Sequence, residues 1–198
     1  MQLENYYYWF KEAVPSHLCD DIVRYAKSIQ DQMAVTGGLG DRKLNKKEIQ
    51  DLKKKRDSDI VWLSERWIYN AIHPYIHQAN SDAKWNFQWD FSEQCQFTQY
   101  KKGQYYDWHC DSWEKSYEAP NTQSDGKNRK LSVTLSLSDD KDYTGGELEF
   151  DMRNTDPDKK PNTHILKEIR PKGSLVVFPS HVWHRVKPVK RGVRHSLV

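Results

Sequence analysis

The stretch CQFTQYKKGQYYDWHCD, residues 95–111, predicts two β-strands joined by a turn. The first strand spans residues 95–100, Gly103 marks the turn, and the second strand leads to His109 and Asp111. Residues two apart on a strand project from the same face, so His109 and Asp111 are predicted to lie side by side. An imidazole and a carboxylate in that position can bind one cation together. The alternative is a hydrogen-bonded His–Asp pair or two unrelated surface groups.

The chain continues after this stretch as a series of short predicted strands. Residues 131–137, LSVTLSL, alternate apolar with polar side chains, which is typical of a half-buried strand. Many short strands with evenly spaced turn signals predict a sandwich or a barrel. The other predicted strands are Tyr6–Phe10, Trp85–Trp89, Glu147–Phe150, His164–Ile169, Ser174–Phe178, Trp183–Val186 and Val193–Leu197.

Two predicted helices come before most of these strands. Residues 15–33 begin with Pro-Ser and carry apolar residues at helical spacing, which predicts an amphipathic helix. Residues 59–79 show a second apolar helical face, and Pro74 is expected to kink or divide that helix. His73 and His77 lie one turn apart on it. With no third ligand suggested nearby, we expect surface or hydrogen-bonded histidines there rather than a metal site.

The net charge of +3 over 198 residues is unevenly distributed. The segment 42–56 alone carries +6, which leaves −3 for the remainder. Such a basic run could contact nucleic acid or an acidic partner, and the alternative is a solvated loop or helix. The three cysteines suit neither a disulfide framework nor a zinc knuckle, and they indicate a reducing compartment. The sequence shows neither a secretory signal nor an apolar run of membrane-spanning length.

A cation at His109 and Asp111 needs a third protein ligand if the site is a two-histidine, one-carboxylate triad. Such a triad leaves positions open on non-haem Fe(II) for a cosubstrate and oxygen. Ten residues after His184 stands Arg194, whose guanidinium could bind a carboxylate in bidentate fashion and therefore suits a dicarboxylate cosubstrate. The candidates for the third ligand are His164, His181, His184 and His195.

Four stretches of the sequence resemble the 2-oxoglutarate- and Fe(II)-dependent oxygenases, in the prolyl-4-hydroxylase-like branch. Each stretch alone is a modest signal, and their order and spacing together carry the resemblance. A looser similarity precedes them, so that together they cover most of the chain apart from the basic insert. The stretches are QYKKGQYYDWHCD at 99–111, RKLSVTLSLS at 129–138, YTGGELEF at 143–150 and KGSLVVFPSHVWHRVKPVKRGVRHSL at 172–197.

The resemblance implies a role for particular residues. His109, Asp111 and His184 would be the iron ligands, with His181 as the rival for the third position. Arg194 would bind the distal carboxylate of 2-oxoglutarate. Further cosubstrate contacts would come from Tyr100, Ser196, Thr134 and Ser136, and tentative substrate contacts from Tyr106, Trp113 and Trp183.

The resemblance also implies a fold of the α+β class, mainly β. The expected core is a double-stranded β-helix, which is a distorted jelly roll, with N-terminal helices packed on one sheet. The chain is expected to be a single domain, 1–198. Its helical support would occupy about 1–80 with a basic insert at about 36–58, and the jelly-roll core about 81–198.

The implied activity is Fe(II)- and 2-oxoglutarate-dependent hydroxylation of a C–H bond, with release of succinate and CO2. A peptidyl prolyl residue is the leading substrate, ascorbate is a supporting reductant, and the expected location is cytoplasmic. One alternative is an oxygenase of the same fold that acts on a small molecule or a nucleic-acid base. Another is a non-catalytic jelly-roll binding module.

Overall fold

Two antiparallel β-sheets form the frame of the protein in a computed structural model that describes residues 5–30, 55–112, 115–153 and 159–198. Within these described ranges, two helices accompany the sheets. In chain order the elements are β1 (Tyr8–Phe10), α1 (Ser16–Gln30), β2 (Arg56–Asp57), β3 (Asp59–Leu63), α2 (Arg66–Asp82), β4 (Cys95–Tyr100), β5 (Tyr105–His109), β6 (Leu131–Ser136), β7 (Tyr143–Gly145), β8 (Leu148–Asp151), β9 (Thr163–Ile165), β10 (Leu175–Pro179), β11 (Trp183–Val186), β12 (Val189–Gly192) and β13 (Arg194–Leu197).

The strand order places distant parts of the chain side by side. In the described residues the larger sheet has the order β1-β10-β6-β13-β4-β3, and the smaller sheet has the order β2-β5-β11-β8-β9. A separate pair is formed by β12 and β7. Every ladder is antiparallel, and each sheet joins strands far apart in sequence. This arrangement is the predicted distorted jelly roll.

Both helices pack on the larger sheet, as the sequence predicts. Ile22 of α1 and Ile68 of α2 are fully buried in one apolar cluster with Phe97 of β4 and Leu197 of β13. A second cluster fills the space between the two sheets, where Phe178 of β10 meets residues of the smaller sheet. Within the described residues, neither helix combines the length and the apolar character needed to cross a bilayer.

The second helix begins later than predicted. Residues 59–63 form β3 instead of a first helical turn, with Val61 and Leu63 buried and Trp62 exposed between them. This alternation has the two-residue period of a strand, and the short apolar run fits that period as well as the helical one. The helix then continues through Pro74 without dividing, and Ile72 and Ala79 are buried on either side of this proline.

The predicted strand 85–89 is absent; the structure places no strand there. Asn80, near the end of α2, binds this stretch instead. Its carbonyl accepts hydrogen bonds from the backbone N–H groups of Trp85 and Asn86, and its side-chain oxygen accepts one from the N–H of Phe87. These bonds occupy the N–H groups that a strand partner would use.

Most of the predicted basic insert falls on residues 31–54, which lie outside the described residues. Its last part is described and was not predicted as a strand. Arg56 and Asp57 form β2, which pairs with β5 opposite Tyr106 and Tyr105. The two short strands β7 and β12 also lie where the sequence predicts only turns.

Gly192, at the end of β12, provides a test of how tightly the strand before Arg194 is held. Its φ is +74°, and a Cβ added there would lie 1.9 Å from the carbonyl oxygen of Asp142. We expect Gly192→Ala to lower the free energy of unfolding by about 3 kcal/mol, through backbone strain plus a clash that no side-chain movement can relieve. Gly103 has a φ of +88° and no atom within 4 Å of an added Cβ. Gly103→Ala should therefore lower the free energy of unfolding only by the backbone strain, about 1–2 kcal/mol. Urea unfolding measures the stability of both variants. Equal losses of unfolding free energy would show that the clash with the Asp142 carbonyl adds nothing at Gly192.

Candidate functional site

Three side chains that can bind a metal converge between β5 and β11. His184 of β11 stands directly opposite His109 of β5 in the ladder, and Asp111 follows β5. The Nε2 atoms of His109 and His184 lie 3.7 Å and 3.6 Å from the carboxylate oxygens of Asp111. The three ligand atoms all lie within 4.8 Å of one another. The structure thus brings together the three residues predicted as metal ligands.

Backbone carbonyls fix the orientation of both imidazoles. Nδ1 of His109 lies 2.7 Å from the carbonyl oxygen of Asp107, and Nδ1 of His184 lies 2.9 Å from that of Val182. A carbonyl only accepts, so each Nδ1 carries the proton and donates it. Each Nε2 is left with a lone pair that faces the other two ligands, as a metal requires.

The charge state of His109 also suits a metal ligand. Burial, the largest cause, and the neighbouring His184 lower the pKa of His109 to about 4. The imidazole is therefore neutral at neutral pH, which is the form that binds metals.

Ser132 holds the carboxylate of Asp111, and Ser180 holds the Ser132 hydroxyl and the backbone of Asp111. The hydroxyl of Ser132, on β6, donates to Oδ2 of Asp111 at 2.7 Å, and Oγ of Ser180 lies 2.9 Å from Oγ of Ser132. The backbone N–H of Asp111 donates to the carbonyl of Ser180 at 2.8 Å. Neither serine was predicted as a site residue from the sequence. The available signal was the position of Ser132 two residues before Thr134, on the same face of β6.

Aromatic rings enclose the two histidines. The ring of Tyr106 stacks on His109 with 3.5 Å between ring centroids. Phe178 packs edge-on against His184 at 4.8 Å, and Phe150 lies 6.0 Å from it. These rings exclude water from one side of the ligand group and keep the imidazoles from rotating.

The donor set fits Fe(II). Two imidazole nitrogens and one carboxylate oxygen, grouped at one cavity, match the two-histidine, one-carboxylate triad of non-haem iron proteins. The carboxylate is held by a hydroxyl, and both imidazoles are held by carbonyls, which are the supporting contacts typical of metal sites.

A cavity of about 660 Å³ extends from these ligands into the core of the jelly roll. Its inner wall includes Tyr100, Thr134, Arg194 and Ser196, from the three neighbouring strands β4, β6 and β13. Arg194 is only 3% exposed, and its Nη1 donates to Oγ of Ser196 at 3.0 Å. Its Cζ lies 5.4 Å from the ring centroid of Tyr100. A buried guanidinium facing a cavity is suited to binding a carboxylate.

Other predicted residues lie outside this cavity. Ser136 is buried, but its hydroxyl lies near the carbonyl of Arg170, 3.4 Å away, and not at the cavity wall. Trp183 is 39% exposed and is not part of the wall. Tyr106 does line the cavity, whereas Trp113 lies outside the described residues.

The other histidines considered in the sequence analysis do not join this group. His195 stacks on Phe97 and does not face the cavity, and His181 does not belong to the group of ligand atoms found in the described residues. His164 stacks on Tyr7. Histidines 73 and 77 behave as expected: the first is hydrogen-bonded to Ser92, and the second stacks on Trp89.

The comparisons with known proteins agree with this geometry. A model of the 2OG-Fe(II) oxygenase superfamily matches residues 95–198, which is more than half of the chain. A PKHD-type hydroxylase of Synechococcus sp. (strain CC9902) is 39% identical over 93 residues. That match covers 46% of this chain and 33% of the relative, so the chain spans a third of that protein's length.

Solved structures resemble the whole described fold. A prolyl-4-hydroxylase of Pseudomonas putida has a TM-score of 0.64 and 20% identity, and the match covers 98% of this chain and 90% of that one. A prolyl hydroxylase of Trichoplax adhaerens, solved with a hypoxia inducible factor peptide fragment, has a TM-score of 0.62 and 15% identity, with 98% and 82% covered. At these identities the likeness concerns the fold.

A metal-binding role for Asp111 can be tested against Asp107, a nearby carboxylate on β5. We expect Asp111→Ala to weaken binding of Mn(II) or Co(II) at least about a hundredfold, because it removes the single anionic ligand. Asp107 is exposed on β5, and it holds His109 through its backbone carbonyl, which Asp107→Ala retains. That variant should bind metal like the wild type. Isothermal titration measures both affinities, and equal affinities in the two variants would rule out Asp111 as a ligand.

His195, on the other face of β13, predicts a loss of stability in acid. Burial, the largest cause, together with Lys27 and Arg194, lowers the pKa of His195 from 6.5 to about 4. Between these two values the unfolded chain takes up a proton that the folded chain does not, so stability falls as the pH falls. From His195 alone the loss should reach about 2 kcal/mol by about pH 5. His195→Gln should remove that part of the loss in urea unfolding at about pH 7 and pH 5. An unchanged pH dependence in the variant would contradict the assignment.

Proposed function

The chain belongs to the 2OG-Fe(II) oxygenase superfamily, and from that premise we propose that it is an Fe(II)- and 2-oxoglutarate-dependent dioxygenase that hydroxylates a peptidyl prolyl residue. One observation carries the proposal. The same cavity holds a group of three metal-binding side chains and, on its inner wall, a buried arginine suited to a carboxylate. A cosubstrate that binds a metal at one end and carries a carboxylate at the other matches that pair of features.

We propose His109, Asp111 and His184 as the iron ligands. When bound, Fe(II) would supply the redox chemistry by which O2 and 2-oxoglutarate give succinate and CO2, with one oxygen atom entering succinate and the other the hydroxylated product. The chain's part is to hold the metal and the cosubstrate in place. Ser132 keeps the carboxylate of Asp111 in one orientation, and the stacked ring of Tyr106 keeps the imidazole of His109 in place.

The proposed cosubstrate contacts lie on the inner wall of the cavity. The guanidinium of Arg194 would bind the distal carboxylate of 2-oxoglutarate, and Ser196 holds that guanidinium in place. The hydroxyl of Tyr100 and the side chain of Thr134 would complete the contacts from the neighbouring strands. Ser136 would act on this site only through the backbone near Arg170, because its hydroxyl points to that carbonyl.

A peptide is the substrate that the comparisons favour. The structure from Trichoplax adhaerens was solved with a peptide fragment, and the Synechococcus relative is named a hydroxylase of the PKHD type. We propose that Tyr106 contacts the substrate, since it lines the cavity beside His109. Trp113 and Trp183 are proposed as further substrate contacts on the resemblance alone, and the exposure of Trp183 suits such a contact.

The remaining proposals concern the setting of the reaction. We propose that residues 1–198 form one catalytic domain, with the helical part supporting the jelly roll. Ascorbate would serve as a supporting reductant, and the three cysteines, free in the structure, suit a reducing compartment such as the cytoplasm. Nucleic acid is a less favoured partner than a peptide.

The proposed function predicts a mass shift on proline. Incubation of the protein with Fe(II), 2-oxoglutarate, O2, ascorbate and a panel of proline-containing peptides should give succinate and a peptide heavier by about 16 Da, one oxygen atom. Tandem mass spectrometry should place the added oxygen on proline, and Asp111→Ala should abolish both products.

The same experiment separates the alternatives. Succinate formation that no prolyl peptide stimulates, with no oxidised peptide, would contradict the prolyl substrate and favour a small molecule or a nucleic-acid base. Absence of both succinate and metal binding would contradict the enzyme proposal and favour a binding module.

A further inference from the structure

Most partly or fully buried arginines in this protein are neutralised by a carboxylate. In the part of the chain that the structure describes there are six such arginines, and four of them form ion pairs within 4 Å. The two without a carboxylate at that distance, counting only described residues, are Arg56 and Arg194. The four pairs are Arg129–Glu93, Arg153–Asp151, Arg170–Glu147 and Arg185–Glu149.

The two arginines without a counter-ion share one cavity. Arg56 and Arg194 both line the cavity that contains the metal-binding group. They come from different sheets: Arg56 from β2 of the smaller sheet and Arg194 from β13 of the larger one. Two partly or fully buried guanidinium groups with no carboxylate in contact with either are unfavourable, so this part of the cavity is suited to an anionic ligand.

Neutral partners hold the guanidinium of Arg56 in place. Its Nε donates to Oγ of Ser58 at 2.8 Å and its Nη1 to Oε1 of Gln96 at 3.1 Å, while its Nη2 lies 3.5 Å from Oγ1 of Thr98. Its Cζ lies 4.6 Å from the ring centroid of Tyr106. The side chain therefore crosses from the smaller sheet to the face of β4, and its charge is left uncompensated.

Tyr100 connects the two guanidinium groups. Arg194 lies over its ring, and Arg56 lines the same cavity wall as Tyr100 and is near enough to act on the pKa of its phenol. Burial raises the pKa of Tyr100 and is the largest effect, while both arginines act in the opposite direction. The phenol keeps its proton and can donate it to a ligand. A carboxylate that accepts from Tyr100 would lie near both arginines.

We propose that Arg56 is a second cosubstrate-binding residue, which acts together with Arg194 on the distal carboxylate of 2-oxoglutarate. This inference rests on the proposed function, because it assumes that 2-oxoglutarate occupies the cavity. It assigns a role to the end of the basic segment: the pairing of Arg56 with Tyr106 in the β2–β5 ladder directs this residue into the cavity. The two arginines would make the cavity bind 2-oxoglutarate, a dianion, more tightly than a 2-oxo acid with a single carboxylate.

The test compares two acids that differ only at the distal end. 2-Oxoglutarate carries a carboxylate there, and 2-oxopentanoate carries a methyl group. Anaerobic isothermal titration into the metal-free and the Mn(II)-loaded protein gives Kd for each acid. We expect Arg56→Gln to raise Kd for 2-oxoglutarate at least about tenfold, the usual effect of a charge-assisted contact, and to change Kd for 2-oxopentanoate less than about twofold.

A neighbouring residue supplies the matched control. Lys55 precedes Arg56, carries the same charge and is exposed. Lys55→Gln should leave both dissociation constants unchanged. In turnover, Arg56→Gln should raise KM for 2-oxoglutarate and leave kcat within about twofold, because the lost contact is made equally before and during the reaction.

The other possible results distinguish failure of the role of Arg56 from failure of the proposed function. An unchanged Kd for 2-oxoglutarate in Arg56→Gln, or an equal weakening of both acids, would overturn the role of Arg56 and leave the proposed function intact. If Arg56→Gln raises KM for the peptide and leaves KM for 2-oxoglutarate unchanged, Arg56 contacts the peptide substrate and its role in cosubstrate binding is overturned. If the wild type binds no 2-oxoglutarate, with or without metal, the proposed function itself fails.

A second measurement uses the unaltered protein, in case Arg56→Gln does not fold. Phenylglyoxal modifies accessible arginines, and mass spectrometry locates the modified residues. Saturating 2-oxoglutarate should slow modification of Arg56 and leave the rate at exposed Arg191 unchanged. Equal rates at Arg56 with and without 2-oxoglutarate would overturn the proposal.

Discussion

The antiparallel pairing of β5 with β11 is the constraint on which the candidate site depends. It sets His109 opposite His184, although 75 positions separate them in the sequence. The register matters because a shift of one residue would turn one histidine to the other face of the sheet. The ladder thus sets the positions of the imidazoles, and the carbonyls two residues before each histidine set their tautomers locally.

The two ends of the cavity have different chemical groups. At the metal-binding end the histidines are oriented by carbonyls and surrounded by aromatic rings. At the other end Arg194 is buried against Ser196 and Tyr100 with no carboxylate to neutralise it among the described residues. A protein gains little stability from a buried cation of this kind, since removing it from water is costly. The cost is offset when an anionic ligand binds.

The sequence predicted the strands best where their pattern was unambiguous. The bounds of β4 and β11 agree with the expectation to the residue, and β6 and β10 agree to within one. The error at residues 59–63 arose because a short apolar run satisfies both the helical and the strand period. The false strand at 85–89 arose because hydrogen bonds that its backbone N–H groups donate to Asn80 compete with a sheet, and those bonds depend on the tertiary position of α2.

The site residues, too, were predicted where a local motif marked them and missed where only tertiary contacts place them. The expected grouping of His109, Asp111 and His184 came from motifs and a resemblance, and the structure brings these side chains together. Arg56 and Ser132 were missed because their roles arise from contacts with residues about 40 and 21 positions away, which no local spacing reveals.

The hydrogen bonds of Asp111 have a mechanical consequence. The two histidines belong to the smaller sheet, but Ser132 and Ser180 attach the aspartate to the larger one. The three ligand atoms therefore span the interface between the sheets, and their separations depend on how closely the sheets pack. A fluctuation that parts the sheets also parts the ligand group. The residence time of a bound ion is thereby tied to the stiffness of the hydrophobic layer around Phe150 and Phe178, and a core mutation remote from the ligands would act on metal retention.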